Sequence, residues 1–173
     1  MVKHKTPISQ VEPDPCTCVT EEHIRESNLI EGIDDPAEDN RSMAAWRWLQ
    51  TKVGINESVL LELHKRITHG QLPDSESGHF RIIQVYVGNH VPPNAINVPH
   101  LVMQWRADML DMTPKQAHVK FEKIHPFVDG NGRTGRMLMW WHERKLGQAP
   151  TLIRSNEADR HYYYQWFREA SDE

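Results

Sequence analysis

The chain has 173 residues, a length typical of a single domain with one hydrophobic core. Lysine and arginine number 20 against 24 aspartates and glutamates, so the formal net charge is −4, which argues against charge-driven binding to nucleic acid. The longest purely apolar stretch, Met137 to Trp141, is far shorter than the roughly 20 residues that cross a bilayer, and no apolar run follows the amino-terminal lysines. We therefore expect a cytoplasmic protein that binds neither nucleic acid nor a membrane.

Residues 1–19 form a leader in which we expect an extended or disordered chain, because it carries three prolines and no apolar period. Cys16 and Cys18 have neither the number nor the spacing of a zinc site or a disulfide framework, so they are interpreted as free thiols. Residues 20–173 are predicted to form one domain.

Helical spacing of apolar residues accounts for most of this domain. The first helix is predicted over about residues 20–31, capped by Thr20, and an acidic loop is expected over residues 34–39. Residues 80–93 lack this helical spacing. β-Branched and aromatic residues are followed there by glycine and proline, which predicts a small β-hairpin. The fold is therefore predicted to be mainly α with one small β-hairpin. The further predicted helices cover residues 41–53, 57–69, 99–111, 113–124, 132–147 and 155–170.

The chemistry concentrates in HPFVDGNGRTGR, residues 125–136, between two predicted helices. Its Gly-Asn-Gly turn, residues 130–132, can direct backbone N–H groups toward one anion and leads into the positive end of the next helix. Arg133 and Arg136 lie three residues apart and can reach the same side, where they add fork-shaped donors. The segment therefore predicts a phosphate site.

Two other side chains of this segment supply chemistry. Asp129 is a hard oxygen ligand next to the turn, as Mg²⁺ on a polyphosphate requires. His125, with an ordinary pKa of about 6.5, can accept a proton near neutral pH beside the phosphate site. An anion site, a metal ligand and a base together suit phosphoryl or nucleotidyl transfer.

The same twelve residues resemble the signature of the Fic family, HxFx(D/E)GNGRxxR, at every defining position. The likeness extends to GHFR at residues 78–81, VYVGNHVPP at residues 85–93 and RHYYYQWF at residues 160–167. The resemblance implies a Fic-type helical domain with a β-hairpin flap. It also implies AMPylation, in which AMP moves from ATP to a hydroxyl of a target protein and pyrophosphate leaves.

The resemblance further implies a role for each matching residue of the motif. His125 would be the general base on the target hydroxyl, Asp129 the Mg²⁺ ligand, and Arg136 the group that binds the γ-phosphate. The α- and β-phosphates would contact the rest of the motif, Gly130, Asn131, Gly132 and Arg133.

Outside the motif, the resemblance assigns the nucleotide base and the target. Tyr164 would contact the adenine. Val87 and Gly88 of the flap would dock the target segment as an added strand.

A second resemblance lies upstream, where SNLIEG matches the inhibitory motif of the family, (S/T)xxxE(G/N), through Ser27, Glu31 and Gly32. Ser27 and Glu31 are four residues apart and share one helix face. The resemblance implies that Glu31 pairs with Arg136 and occupies the place that the γ-phosphate needs. We therefore expect the chain to restrain its own activity.

Two other functions stay open at this point. In a hydrolase, Glu31 would orient water so that the protein removes AMP from a modified target. In a binding module the fold would hold a nucleotide or a partner without turnover, but the intact His125 and Asp129 count against this, since a pure binder needs neither a base nor a metal ligand. The sequence identifies neither the target nor its modified residue, and it leaves association with a second copy of the chain open.

Overall fold

The computed structural model describes residues 18–169, and the predicted mainly helical fold is confirmed there. The predictions for residues 1–17, including Cys16, lie outside the described residues, while Cys18 is an exposed free thiol. Two short 3-10 helices, Ala95–Asn97 and Met109–Asp111, flank the α-helix Val98–Asp108. The α-helices are α1 Glu21–Ile30, α2 Pro36–Leu49, α3 Glu57–Thr68, α4 Val98–Asp108, α5 Pro114–Ile124, α6 Asn131–Lys145 and α7 Glu157–Glu169.

Helix α5 begins where its capping residues predict. Thr113 Oγ1 accepts a hydrogen bond from Gln116 N at 3.2 Å, and Gln116 Oε1 accepts one from Thr113 N at 3.0 Å. Pro114 occupies the first turn, where its missing N–H has no intrahelical partner to lose. The chain therefore turns into α5 at a fixed position.

The predicted acidic loop over residues 34–39 is wrong, because α2 already begins at Pro36. Asp35 is the N-cap, and its carboxylate accepts a hydrogen bond from Ala37 N at 2.9 Å. Glu38 and Asp39 lie in the first turn, where negative charge suits the positive end of the helix dipole. These carboxylates therefore belong to a helix start and not to a loop.

Helix α6 is the central element of the core. It packs against α1, α3 and α5. Every residue from Arg133 to Glu143 is buried, including the large side chains of Trp140 and Trp141. A helix that is buried all round has other elements on every side, so its first turn is held rigidly beneath the functional site.

The predicted β-hairpin is not confirmed, and the described residues contain no strand there. Residues 82–93, called the flap below, have no regular secondary structure and are closed by one antiparallel bridge. Val87 N donates to His90 O at 3.0 Å and His90 N donates to Val87 O at 2.9 Å. Ile82 and Tyr86 are exposed, so this segment has no sheet or helix over its apolar side chains, and an isolated two-stranded hairpin is marginal in water.

No helix in the described part of the chain is long and apolar enough to cross a membrane.

Candidate active site

His125 lies at the corner between α5 and α6. Its backbone is left-handed, with φ 49° and ψ 64°, and among the described residues no other side chain-bearing residue has a positive φ. The following Pro126 excludes the helical conformation at this position. A non-glycine residue held in this region stores roughly 1–3 kcal/mol of strain, so the surrounding contacts must impose the corner that aims the His125 ring.

Asn131 braces the loop after His125 from inside. Its Oδ1 accepts a hydrogen bond from Phe127 N, and its Nδ2 donates to Phe127 O, both at 2.9 Å. The side chain of Asn131 is therefore occupied within the loop, and its backbone N–H at the start of α6 is the group left for an anion.

His64 of α3 supports the same loop from below, a role that the sequence analysis missed. Its Nδ1 accepts a hydrogen bond from Gly78 N at 2.9 Å, so Nε2 carries the proton that donates to Asp129 O at 2.9 Å. Its ring stacks on Phe127 at 3.7 Å between centroids. Burial lowers the pKa of His64 to about 4, so the ring is neutral at pH 7. In the sequence His64 lies on the apolar face of a helix, 65 residues from its partner, and nothing local marks it.

Arg81 holds the flap and the corner together. Its Nε donates to His125 O at 2.7 Å, and its backbone N donates to Pro126 O at 2.9 Å. Its guanidinium also donates to Ile83 O at 2.9 Å and to Pro93 O at 2.5 Å, at the two ends of the flap. One buried arginine therefore fixes the flap relative to His125.

Arg133 is buried with unused hydrogen-bonding capacity. One of its terminal nitrogens donates to Gln71 Oε1 at 2.8 Å. Its Nε and its other terminal nitrogen have no hydrogen-bond partner. Because unpaired buried donors are costly, these N–H groups are available to an acceptor that the described residues do not supply.

Arg136 joins three helices. Its side chain is 1% exposed; its Nε donates to Ser27 Oγ at 2.8 Å, and its Nη2 donates to the Ser27 carbonyl at 2.9 Å. It also donates to Glu31 Oε1 at 2.6 Å and to the Tyr163 hydroxyl at 3.2 Å. Burial raises the pKa of the Tyr163 phenol, so this hydroxyl is neutral. Among these partners of Arg136, Glu31 is therefore the one that carries a charge.

The carboxylate of Glu31 lies directly over Gly132. A Cβ atom built at Gly132 would come within 2.1 Å of Glu31 Oε1 and 3.0 Å of an Arg136 nitrogen. Only glycine at this position leaves space for the carboxylate. Helix α1 ends here, with Gly32 at a φ of 74° just beyond Glu31.

One cavity of about 780 Å³ unites most of the predicted site residues. This volume lies within the range of small-molecule sites. Tyr164 is 44% exposed at the cavity, whereas Tyr163 is 2% exposed. The lining comprises Glu31, Val87, Gly88, Asn89, His90, Glu122, Lys123, His125, Gly132, Arg136, Tyr163, Tyr164, Phe167 and Arg168. The structure thus brings together the predicted base, inhibitory glutamate, arginine, flap residues and tyrosine.

Asp129, the predicted metal ligand, is exposed, and its Oδ1 accepts a hydrogen bond from Gly130 N at 2.6 Å. Gly130 has a φ of 75°, and a Cβ there would come within 2.7 Å of the Thr68 methyl group. Within residues 18–169 there is no cluster of three or more acidic, histidine or cysteine side chains that could hold a metal ion. A Mg²⁺ at Asp129 would therefore take most of its oxygens from a bound phosphate and from water, which is a common arrangement for this ion.

The electrostatics at His125 favour a neutral ring. Burial lowers the pKa of His125 to about 4, and Arg81 and His90 lower it further, against the opposing effects of the Glu122 main-chain carbonyl and of Glu31. At pH 7 the ring can therefore accept a proton.

The model of the Fic/DOC family matches residues 54–142, more than half of the chain. This chain belongs to the Fic/DOC family. The Fic relatives include protein adenylyltransferase Fic of Culex quinquefasciatus, 34% identical over 163 residues, covering 86% of this chain and 30% of that protein. The protein of the same name from Drosophila yakuba is 36% identical over 125 residues, covering 67% of this chain and 25% of that protein. This Fic chain thus spans less than a third of the length of these curated relatives.

Solved Fic structures share the fold. A Fic family protein from Desulfovibrio desulfuricans superposes with a TM-score of 0.70 at 24% identity, covering 88% of this chain and 58% of that one. Fic-1 from C. elegans superposes with a TM-score of 0.71 at 23% identity, covering 87% and 55%. The Fic family and fold expected from the sequence are therefore confirmed.

Proposed function

We propose that this Fic chain transfers AMP from ATP to a hydroxyl group of a target protein. The observation that carries the proposal is the shared cavity in which neutral His125 at the end of α5 faces Gly132 and Arg136 at the start of α6. The full HxFx(D/E)GNGRxxR signature and relatives named protein adenylyltransferase at 34–36% identity support the same activity.

ATP would bind with its phosphates at the start of α6. The backbone N–H groups of Asn131 and Gly132, the two unpaired donors of Arg133 and the guanidinium of Arg136 offer positive charge there. Asp129 would hold Mg²⁺, which when bound neutralises phosphate charge. Tyr164, exposed at the cavity, would contact the adenine.

The chemistry assigned to the chain itself is proton removal and positioning. His125 takes the proton of the target hydroxyl, whose oxygen bonds to the α-phosphorus while the bond from that phosphorus to the pyrophosphate oxygen breaks. Pyrophosphate leaves with the electron pair of that bond. Val87 and Gly88, which line the same cavity, would dock the target segment so that its hydroxyl lies in line with the leaving group.

The ion pair between Glu31 and Arg136 would restrain this activity. The carboxylate occupies the Arg136 donor that a γ-phosphate needs, and it lies against Gly132. Both anions cannot use that donor at once. ATP would therefore bind productively when the Glu31 side chain, which is 36% exposed, swings away.

Removal of AMP from a modified target is the second candidate. The supporting observation is that the Glu31 carboxylate lines the same cavity as His125 and can orient a water molecule there. In this reaction water, rather than the target hydroxyl, bonds to the phosphorus of AMP, and the target hydroxyl is released.

Separately labelled ATP tests the proposal. The Glu31→Gly variant is mixed with Mg²⁺ and ATP labelled at either the α- or the γ-phosphate. We expect the α-phosphate label, and not the γ-phosphate label, to become attached to protein. His125→Ala in that background should abolish attachment while ATP binding, measured by calorimetry, persists. His100→Ala, at an exposed position on α4, is the matched control and should transfer normally. Attachment of the γ-label would instead identify a kinase.

A further inference from the structure

A buried glutamate next to His125 has no part in the family signature. Glu122 lies one helical turn before His125 on α5, and its Oε2 is 3.7 Å from His125 Nδ1. The two side chains are only 12% and 16% exposed. Glu122 Oε1 has no hydrogen-bond partner, and His125 Nδ1 makes no well-formed hydrogen bond, although the main-chain carbonyl of Glu122 lies close enough to raise the pKa of the ring. Because buried polar atoms are nearly always paired, two unpaired atoms on adjacent side chains point to an interaction that forms during function.

Packing keeps the Glu122 carboxyl beside His125. A Cβ atom built at Gly135 of α6 would come within 2.4 Å of Glu122 Oε1 and 2.9 Å of His118 Nδ1. The bare backbone of Gly135 therefore leaves the space that the carboxyl occupies. Position 135 is variable in the signature HxFx(D/E)GNGRxxR, so the signature alone does not require the space that glycine leaves here.

Several charged groups surround the pair. Burial raises the pKa of Glu122 to about 8, with Arg136 acting against the rise and Glu31 adding to it. His118, the neighbour on α5, stays neutral because burial lowers its pKa to about 3. On the other side, His125 faces Arg81, His90 and Glu31, as well as the main-chain carbonyl of Glu122. The Glu122 carboxyl therefore changes charge within a pH range where the protein can be assayed.

We propose that Glu122 is a positioning residue for His125: its carboxyl accepts Nδ1–H, which leaves Nε2 free to take the proton of the target hydroxyl. This inference rests on the proposed AMP transfer. Either form of the carboxyl has an oxygen that can accept Nδ1–H, and a small side-chain rotation closes the 3.7 Å gap. The ionised form also stabilises the imidazolium that results, as a carboxylate does in a Ser-His-Asp triad. Glu122 itself neither gains nor loses a proton in the step.

The kinetic test uses Glu122→Gln, which keeps an acceptor oxygen but cannot ionise. In the Glu31→Gly background we expect kcat for AMP transfer to rise with pH as Glu122 ionises. Glu122→Gln should remove this rise with pH. At the highest pH assayed it should lower kcat about ten- to hundredfold, with KM for ATP unchanged. Glu143→Gln is the matched control, because Glu143 is also a buried glutamate with a raised pKa but bonds to Thr151, outside the cavity. It should keep both kcat and the pH profile.

The second test needs no activity. In the full chain with its native Glu31, the ring signal of His125, assigned by its loss in His125→Ala, is followed by NMR from pH 6 to 9. We expect the chemical shift of this ring signal to show a step near pH 8. The step should disappear in Glu122→Gln, whose main-chain carbonyl is unchanged. An absent step in the otherwise native chain, or an unaltered kcat and pH profile in Glu122→Gln, overturns the proposal. If the step is present but no variant transfers AMP, the pairing of Glu122 with His125 is supported and the proposed function falls.

Discussion

At the residue scale, the hydroxyl of Tyr163 has two buried partners. It accepts a hydrogen bond from Arg136 at 3.2 Å and lies 2.9 Å from His118 Nε2. These contacts join residues that are 27 and 45 positions apart, so the aromatic run at residues 160–167 gave no sign of the buried partners of Tyr163, although Tyr164 was assigned to the adenine. The structure separates them by burial.

Tyr163→Phe should destabilise the fold measurably. The substitution removes only the hydroxyl, which leaves a buried Arg136 donor and His118 Nε2 unpaired, at a cost of about 1–3 kcal/mol. For a domain of this size we expect the melting temperature to fall by about 2–10 °C, measured by calorimetry. Tyr162→Phe, at an exposed position on the same helix, should melt as the wild type does. Equal melting of both variants would show that the Tyr163 hydroxyl contributes nothing.

Glu31→Gly should raise AMP transfer about ten- to hundredfold. The lost interaction is a hydrogen bond between charged groups, which contributes about 1.5–3 kcal/mol, and each 1.4 kcal/mol is one decade. The double variant with Arg136→Ala should lose the gain, because the freed arginine is what the γ-phosphate uses. If the native activity is removal of AMP, the same Glu31→Gly protein should lose hydrolysis while it gains transfer. Transfer and hydrolysis at wild-type rates would refute a regulatory role for Glu31.

At the element scale, local capping signals predicted the helices well and long-range contacts decided the rest. Thr113 and Pro114 mark the start of α5 within the sequence itself, and Pro126 marks its end. The start of α2 was missed because its acidic first turn resembles a solvated loop. The flap was predicted as a hairpin from β-branched residues. It is instead held by Arg81, together with Gln84 and His90, through main-chain carbonyls as far away as residue 125.

Arg81→Lys should loosen the flap without altering the nucleotide site. Lysine has one nitrogen in place of the forked guanidinium, so it cannot reach both ends of the flap and the His125 carbonyl together. Losing even one such bond should reduce hydrogen-exchange protection in residues 82–93 by about tenfold or more. We expect KM for the protein target to rise and ATP affinity to stay. Arg66→Lys, which alters an exposed ion pair on α3, is the control. Unchanged exchange in the flap would show that Arg81 does not hold it.

At the scale of the whole molecule, the helix that carries Glu31 is part of the core. Ile24 and Ile30 of α1 are buried, and α1 packs against α2 and α6. It is also tied to the segment before α7, because Glu26 accepts a hydrogen bond from Ser155 N at 2.6 Å and His23 lies 3.2 Å from the Pro150 carbonyl. The proposed inhibition would therefore be relieved by movement of the Glu31 side chain while α1 stays in place.

This arrangement predicts how ATP changes the stability of the whole chain. A ligand at 100 times its Kd stabilises a protein by about 2.7 kcal/mol, so Mg·ATP at that level should raise the melting temperature of Glu31→Gly by about 5–11 °C. In the wild type, the competing carboxylate weakens binding about ten- to hundredfold, and the same ATP concentration should add only about 0.4–1.4 kcal/mol. The rise should then be about 1–6 °C. Without ATP, the Glu31→Gly variant should melt at a lower temperature than the wild type, because it has lost the ion pair between Glu31 and buried Arg136. Equal rises in both proteins would mean that Glu31 and the γ-phosphate do not compete for Arg136.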